Sequence, residues 1–326
     1  MMDTRRLGRT GLEVSPLCLG GNVFGWTADE VSSQAILDAF LDGGGNFVDT
    51  ADVYSTWAPG HKGGESEEVL GRWMKARGNR SRVVLATKVG GRMGPGPNEQ
   101  GLSRRRIMSA VEDSLRRLQA DYIDLYQAHF DDPDTPIEET VQAFDDLVHQ
   151  GKVRYLGASN YSAWRLTRAL WESDKRNLAR FACLQPFYNV AGRADFEREL
   201  EPLCWDQGLG VIPYSSLASG FLSGKYRAEQ PLPETARASG VQRRYMNERG
   251  FAVLSVVEGV SKEQGATMTQ VALAWLLARP SVTAPIVSAT SVAQLHEILG
   301  AADLTLPPDA VTALDKASDW QEDSGR

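Results

Sequence analysis

The chain has 326 residues, of which 42% are hydrophobic, and this length allows one large domain or two ordinary ones. Its formal net charge is −7 without a long block of like charge, which argues against nucleic acid as a partner. The three cysteines lack the spacing of a disulfide framework or a metal site, and no apolar stretch reaches membrane length, so we expect a cytoplasmic protein without a membrane partner.

Short apolar runs alternate with helical patterns along the whole chain. The runs are rich in β-branched or aromatic residues, as is typical of strands buried on both faces. In chain order, the predicted strands are LCLG (17–20), FVDT (47–50), VVLATK (83–88), YIDLYQ (122–127), VRYLGA (153–158), FACLQ (181–185), GVIPY (210–214) and APIVS (284–288).

Helical periodicity separates most of these strands. It predicts helices at 31–42, 103–119, 138–150, 161–173, 269–279 and 291–300. Capping boxes are predicted at three helix starts, namely Thr27 with Glu30, Thr135 with Glu138 and Ser291 with Gln294. Two short arginine groups, at 80–82 and 104–106, are interpreted as solvated surface.

Eight strands, each followed by a helical segment, predict an α/β fold, a closed (β/α)8 TIM barrel that spans 1–326 as one domain. The competing fold is a doubly wound open sheet, but the stretch after the first strand, LGGNVFGW, lacks its G-x-G-x-x-G spacing. Two additions are predicted: an N-terminal β-hairpin that turns at 9–11, and a long loop after strand seven. The segment 215–250 is too long for a simple strand–helix connection and is interpreted as a functional flap.

Polar side chains follow nearly every predicted strand. Asp49 and Tyr54 follow the second strand, Lys88 ends the third and His129 follows the fourth. Because the carboxyl ends of barrel strands meet at one face, we expect these residues to share a pocket. Each of them also has an ordinary structural explanation, such as a turn, a rim aromatic or a core histidine.

The four residue types predict proton donation to an oxygen that gains negative charge. A phenol has a pKa near 10, and a neighbouring ammonium would lower it. Asp49 would keep Lys88 charged, and His129 could orient a substrate oxygen. Carbonyl reduction needs such a donor.

Six stretches carry a resemblance to a known family: GNFVDTADVY, LATKVG, YQAHF, GASNYS, LQPFYN and PYSSLASGFLSGKY. In order and spacing the chain resembles the aldo-keto reductases, closest to the branch with bacterial reductases and potassium-channel β-subunits. The resemblance implies an NAD(P)H-dependent oxidoreductase that reduces aldehydes or ketones by hydride transfer from nicotinamide C4. It makes Asp49, Tyr54, Lys88 and His129 the catalytic tetrad, with Tyr54 as general acid.

The resemblance also implies a set of cofactor-binding residues. For the nicotinamide end they are Gly21, Asn22, Asp49, Ser159, Asn160, Gln185 and Tyr214; for the pyrophosphate, Ser215, Ser216, Leu217, Ser219 and Lys225; for the adenosine end, Ser288, Thr290, Gln294 and Glu297. Many relatives carry a cation where Ser288 or Thr290 stands here. Lys225 and Arg237 could replace that charge, so NADP(H) is the first expectation and NAD(H) the alternative.

Three aromatic residues, Trp26, Trp57 and Phe130, follow strands near the expected pocket and are interpreted as substrate-binding, although packing roles fit them equally. The expected partner is a small carbonyl compound. The alternative function is a regulatory protein that holds the cofactor as a sensor, with slow or vestigial chemistry. The sequence predicts neither the substrate nor the oligomeric state.

Overall fold

The computed structural model describes residues 2–228 and 230–320. Ahead of the main sheet, two short strands pair antiparallel: β1 (Arg5–Arg6) and β2 (Glu13–Val14). The Leu7 amide donates to the Leu12 carbonyl oxygen at 2.9 Å between them. Leu7 and Val14 are fully buried and pack in an apolar cluster with Phe47 of the main sheet, so this pair is tied to the sheet by core packing.

Eight parallel strands form the main sheet, as predicted. They are β3 (Cys18–Gly20), β4 (Phe47–Asp49), β5 (Val84–Val89), β6 (Ile123–Ala128), β7 (Val153–Ser159), β8 (Phe181–Gln185), β9 (Gly210–Val211) and β10 (Ile286–Val287). Their order is β10-β3-β4-β5-β6-β7-β8-β9. The Ile286 amide donates to the Pro213 carbonyl oxygen at 2.8 Å, which joins the two ends of the curled sheet. The arrangement is consistent with a (β/α)8 fold.

Helices follow the strands. They are α1 (Glu30–Asp42), α2 (Glu65–Arg77), α3 (Arg104–Leu118), α4 (Ile137–His149), α5 (Ala163–Arg176), α6 (Ala194–Glu197), α7 (Leu200–Gln207), α8 (Ala238–Tyr245), α9 (Glu248–Glu263), α10 (Met268–Leu277), α11 (Val292–Leu299) and α12 (Pro308–Ala317). In the described part of the chain, none of them combines the length and apolarity that crossing a membrane requires.

The sequence does not predict α2, and a glycine in its middle is part of the reason. Glycine is unfavourable inside a helix, so Gly71 weakens the helical pattern. In the structure, a Cβ at Gly71 would lie 2.2 Å from the carbonyl oxygen of Arg117 in α3. Gly71 therefore allows α2 and α3 to pack closely, and tertiary packing outweighs its low helix propensity.

The three predicted capping boxes do not form. The cap of α1 is Asp29 instead of Thr27, and no side chain caps α4. At α11, Ser291 accepts a hydrogen bond from the Gln294 amide, but the Gln294 side chain accepts from Thr290. Short polar side chains compete for the same free amides, and the backbone path decides which of them reaches.

The segment 215–250 contains a 3-10 helix, Ala218–Ser223, followed by α8. Its aromatic side chains Phe221, Tyr226 and Tyr245 are buried, and the rings of Phe221 and Tyr245 stack with centroids 5.5 Å apart. These three side chains belong to the same hydrophobic core cluster as Val257 and Leu273, so apolar packing anchors this segment to the rest of the fold.

Candidate active site

A buried lysine forms the floor of the candidate site. Lys88, in β5, is completely buried, and its Nζ donates to Asp49 Oδ2 at 2.5 Å, to the Thr50 carbonyl oxygen at 2.8 Å and to the Tyr54 hydroxyl at 3.1 Å. All three protons of the ammonium thus have acceptors. Asp49 ends β4 beside β5, so adjacent parallel strands bring the carboxylate and the ammonium together.

Two glutamine side chains hold the other oxygen of Asp49. Gln127 donates to Asp49 Oδ1 at 2.9 Å, and Gln185 donates to the same oxygen at 3.1 Å. Gln185 also donates to Gln127 Oε1 at 3.1 Å. Gln127 was not predicted as a site residue, because its only signal in the sequence is a polar residue at the end of the apolar run YIDLYQ. These bonds fix the orientation of the carboxylate toward Lys88.

The expected lowering of the Tyr54 pKa is wrong. Burial raises the pKa of the Tyr54 phenol above its usual value, because the phenolate loses its solvation by water. Lys88 lowers that pKa through its charge and its hydrogen bond, but only in part. The phenol is therefore protonated at neutral pH and has a cation in direct contact, which is the state that a proton donor requires.

His129 lies beside Tyr54 at the carboxyl end of β6. Its ring centroid is 5.9 Å from that of Tyr54, and it stacks on Phe130 at 4.4 Å. Burial, and then the charge of Lys88, hold the pKa of His129 well below its usual value, so the imidazole is neutral. Its Nδ1 is buried without a hydrogen-bond partner among the residues that the structure describes.

A cavity of about 900 Å³ opens over these residues. Of the predicted site residues, those that line it are Asn22, Trp26, Asp49, Tyr54, His129, Phe130, Ser159, Asn160, Gln185, Tyr214, Ser215, Ser216, Leu217, Ser219, Lys225, Arg237, Ser288, Thr290, Gln294 and Glu297. Lining residues that were not predicted to belong to the site include Thr27, Ser223, Glu234, Thr235, Thr269 and Ile298. They come from loops and helices, where strand-end position gives no signal.

Three predicted residues lie outside the lining of this cavity. Lys88 lies beneath Tyr54 and is completely buried. Gly21 is a backbone contact: its amide donates to the Asp49 carbonyl oxygen at 2.7 Å, and a Cβ there would lie 2.8 Å from Ser66 Oγ. Trp57 is half exposed and has its ring centroid 5.6 Å from that of Tyr54. Trp57 therefore extends the aromatic wall outside the cavity.

A hydrogen-bonded group forms one side of the cavity. Asn160 donates to the His129 carbonyl oxygen at 2.8 Å and to Ser159 Oγ at 3.0 Å, and it accepts from the Tyr214 hydroxyl at 2.9 Å. Ser159 in turn donates to the Gln185 carbonyl oxygen at 2.8 Å. Asn160 has a φ of 57°, a left-handed conformation that asparagine tolerates better than most residues. The group holds Tyr214 and Asn160 in fixed positions.

Other residues of the cavity lining form further short polar contacts. Ser288 donates to Asn22 Oδ1 at 2.5 Å, and the Thr290 amide and hydroxyl both donate to Gln294 Oε1 at 2.9 Å. Ser216 donates to the Ile286 carbonyl oxygen at 2.7 Å. The Ser216 hydroxyl therefore joins the two ends of the curled sheet, although the residue also lines the cavity.

Two cations face the cavity without an acidic partner among the described residues, Lys225 and Arg237. Burial lowers the pKa of both side chains, and the charge of Arg237 lowers the pKa of Lys225 further. Two like charges held together at an open cavity are costly unless an anion neutralises them. Both cations could bind an anionic group such as a phosphate, and Tyr214 adds an aromatic ring to the cavity lining. Across the described ranges, no group of three or more metal-ligating side chains occurs.

Comparison with known proteins agrees with this geometry. A sequence model of the Aldo/keto reductase family matches residues 16–319. The chain is 39% identical over 318 residues to Uncharacterized oxidoreductase YrpG of Bacillus subtilis (strain 168), covering 96% of this chain and 95% of that protein. It is 36% identical to a Probable voltage-gated potassium channel subunit beta of Arabidopsis thaliana, and the match covers 97% of this chain and 95% of that protein. It is 35% identical to Aryl-alcohol dehydrogenase (NADP(+)) of Phanerodontia chrysosporium, and the match covers 93% of this chain and 82% of that protein. The chain belongs to the aldo/keto reductase family.

Proposed function

We propose that this protein is an NADP(H)-dependent reductase of aldehydes or ketones, with Tyr54 as the general acid. The observation that carries the proposal is the 3.1 Å contact between the Tyr54 hydroxyl and Lys88 Nζ, at the floor of a cavity of about 900 Å³. A protonated phenol with a cation behind it is suited to donate a proton to an alkoxide.

Lys88 acts on Tyr54 and not on the substrate directly. As the phenol gives up its proton, the phenolate gains a favourable interaction with the ammonium, which is already in contact. Asp49 keeps Lys88 charged despite its complete burial, and the raised pKa of Lys88 reflects this support. Burial disfavours the Lys88 ammonium, whereas Asp49 and Tyr54 favour it. A lysine held charged in this way is a poor nucleophile, so Schiff-base chemistry is disfavoured.

When bound, reduced nicotinamide would supply the hydride that the carbonyl carbon accepts. Asn160, Gln185 and Tyr214 would hold its ring and carboxamide, because they line the cavity beside Asp49 and Tyr54. Lys225 and Arg237 would neutralise its phosphates, including a 2′-phosphate. The relative named Aryl-alcohol dehydrogenase (NADP(+)) supports the same cofactor for this chain.

The substrate would lie between Tyr54 and a set of aromatic rings. Trp26 and Trp57 lie 5.7 Å apart between ring centroids, and Phe130 stacks on His129. His129, being neutral, would donate a hydrogen bond to the carbonyl oxygen without carrying a charge. We infer that these rings favour apolar, flat carbonyl compounds.

The test is NADPH consumption with a panel of aromatic and aliphatic aldehydes, in the wild type and in Tyr54→Phe. We expect Tyr54→Phe to lose at least about 10²-fold in kcat, since general acid catalysis contributes 10²–10⁴-fold. Tyr122→Phe is the matched control, because Tyr122 does not line the cavity and its ring packs against Arg80 and Arg154. Equal rates in all three proteins would refute the proposed acid.

A second candidate function follows from the relatives named as probable voltage-gated potassium channel subunits beta, of which one is 36% identical to this chain. In that function the site would hold cofactor mainly as a sensor. The two functions differ in turnover: about one per second or faster on any aldehyde favours the reductase. Tight retention of NADPH without turnover on any carbonyl compound would favour the sensor.

A further inference from the structure

A buried ionic cluster adjoins the candidate active site without lining its cavity. It comprises Asp52, Glu67, Arg106 and Arg117. Arg106 Nη2 donates to Asp52 Oδ2 at 2.5 Å, and Arg117 Nε donates to Glu67 Oε2 at 2.6 Å. Asp52 and Glu67 are completely buried, and Arg106 is 5% exposed, so the expectation that the arginines of 104–106 are solvated is wrong for Arg106.

Both acidic residues of the cluster are hydrogen-bonded to the strand that carries Lys88, Asp52 through its backbone amide and Glu67 through its carboxylate. The Asp52 amide donates to the Lys88 carbonyl oxygen at 3.2 Å, and Asp52 lies in the loop between Asp49 and Tyr54. Glu67 accepts from the hydroxyl of Thr87, the residue before Lys88, at 2.6 Å. Both arginines belong to α3. The cluster therefore connects the Tyr54 loop and the Lys88 strand to the same helix.

Stability alone is a weak reason for such a cluster. Buried ion pairs are often no more stabilising than apolar residues of the same volume, because both ions lose their hydration. The hydrogen-bonding capacity of the Asp52–Arg106 pair is also only partly used: among the described residues, Asp52 Oδ1 and Arg106 Nε have no hydrogen-bond partner. Its specific effect is geometric, since it limits where the loop that carries Tyr54 can lie.

We propose that the Asp52–Arg106 ion pair is a positioning element, which holds the Tyr54 loop against Lys88 so that proton donation depends on the intact pair. Neither residue touches the cavity, so both act through Tyr54 and Lys88. The proposal rests on the reductase function proposed above. It adds two positioning residues to that reaction, and it predicts that they affect the chemical step more than cofactor binding.

The pair also introduces a pH dependence. Burial raises the pKa of Asp52 to about 7, and the charge of Arg106 offsets only part of that effect. The charged or titratable groups that face Asp52 are Arg106 and Arg117 from α3, Glu67 from α2 and Tyr126 from β6. Below about pH 7 Asp52 gains a proton and the ion pair is lost, so the rate of the chemical step should fall.

The experiment compares the wild type with Asp52→Asn, which removes the charge and keeps the shape. We expect kcat to fall about tenfold, with the Kd of NADPH within about twofold, since small displacements of reacting groups cost this much or more. The acidic limb of kcat near pH 7 should be absent in Asp52→Asn. The double variant Asp52→Asn/Arg106→Gln leaves no unpaired buried charge and keeps the test valid if the single variant does not fold.

The matched control is Asp124→Asn. Asp124 is also paired with an arginine, Arg80, at 2.7 Å, but near the amino end of β6 and away from the cavity. Backbone hydrogen exchange, measured by mass spectrometry on peptides covering 47–58, provides a readout that needs no activity. We expect faster exchange than in the wild type for Asp52→Asn, because the amide of residue 52 loses its fixed contact to Lys88. In Asp124→Asn we expect the exchange rate of these peptides to equal that of the wild type.

Two results would overturn the proposal. One is unchanged kcat, pH profile and exchange in Asp52→Asn. The other is an equal loss of kcat in Asp52→Asn and Asp124→Asn in proportion to lost thermal stability, which would mean a structural role only. If instead the wild type reduces no aldehyde, the reductase function itself fails, while the exchange comparison still reports whether Asp52 positions the loop.

Discussion

Replacing Lys88 by methionine removes the cation from the candidate site and leaves a side chain of similar length. Lys88 is completely buried and makes three hydrogen bonds, to Asp49, to Thr50 and to Tyr54. The substitution leaves the Asp49 carboxylate buried without a cation, although Gln127 and Gln185 still donate to it. We expect a loss of about 3–5 kcal/mol in the free energy of unfolding, as when one partner of a buried ion pair is removed.

The loss of rate follows from the contact between Lys88 and Tyr54. At 3.1 Å, two unit charges attract by about 5 kcal/mol at an effective dielectric constant of about 20. If roughly half of a unit charge has developed on the phenol oxygen in the transition state, Lys88 contributes about 2–3 kcal/mol, and 1.36 kcal/mol corresponds to a factor of ten. We therefore expect kcat/KM of Lys88→Met to fall by about 10²-fold.

The assay is steady-state reduction of one good aldehyde with NADPH, together with denaturant unfolding of the same preparations. Lys152→Met is the control, because Lys152 forms an ion pair with Glu112 at the surface and does not line the cavity. Cofactor affinity should change little, since Lys88 lies beneath the cavity and not in its wall. A folded Lys88→Met protein that retains more than about a third of the wild-type kcat/KM would refute the role of Lys88 in activating Tyr54.

Three further predictions follow from the site. Arg237→Ala should weaken NADPH by about tenfold and NADH by less, measured by nucleotide fluorescence with Arg243→Ala as control; equal effects on both nucleotides would contradict a 2′-phosphate contact. His129→Gln should lower kcat/KM by about tenfold without changing its pH dependence between about pH 6 and 8, because the pKa of His129 lies well below its usual value; a lost titration in that range would show a charged imidazole. The pKa of the Asp52 carboxyl is about 3.9 in the unfolded chain and about 7 in the folded protein, so the folded state binds this proton more tightly. The stability gained from this proton is fully present below about pH 4 and is lost as the pH rises through 7. The wild type should therefore lose up to about 4 kcal/mol relative to Asp52→Asn between those pH values in urea unfolding, and a constant difference would contradict the raised pKa.

The sequence by itself determined the eight-stranded parallel sheet and the family. Strand-like runs that alternate with helical periodicity leave few other ways to bury the apolar residues, so the fold class follows from local pattern. The motif GNFVDTADVY and its companions determined the family independently of the structure. Their positions at strand ends also predicted that Asp49, Tyr54 and Lys88 would lie near one another, because parallel strands end on the same face.

Only the tertiary structure decided the contacts that depend on burial and on packing between distant elements. Gln127 reads in the sequence as one polar residue in a strand, and its bond to Asp49 depends on how three strands lie side by side. The sequence places Arg106 in a run of arginines that predicts a charged surface, yet its side chain in α3 points inward and binds Asp52, which is 54 positions away in the sequence. The direction of the Tyr54 pKa shift was likewise inaccessible, because it depends on whether desolvation or Lys88 dominates. Sequence pattern reports local periodicity, whereas these properties arise from atoms that the fold alone brings together.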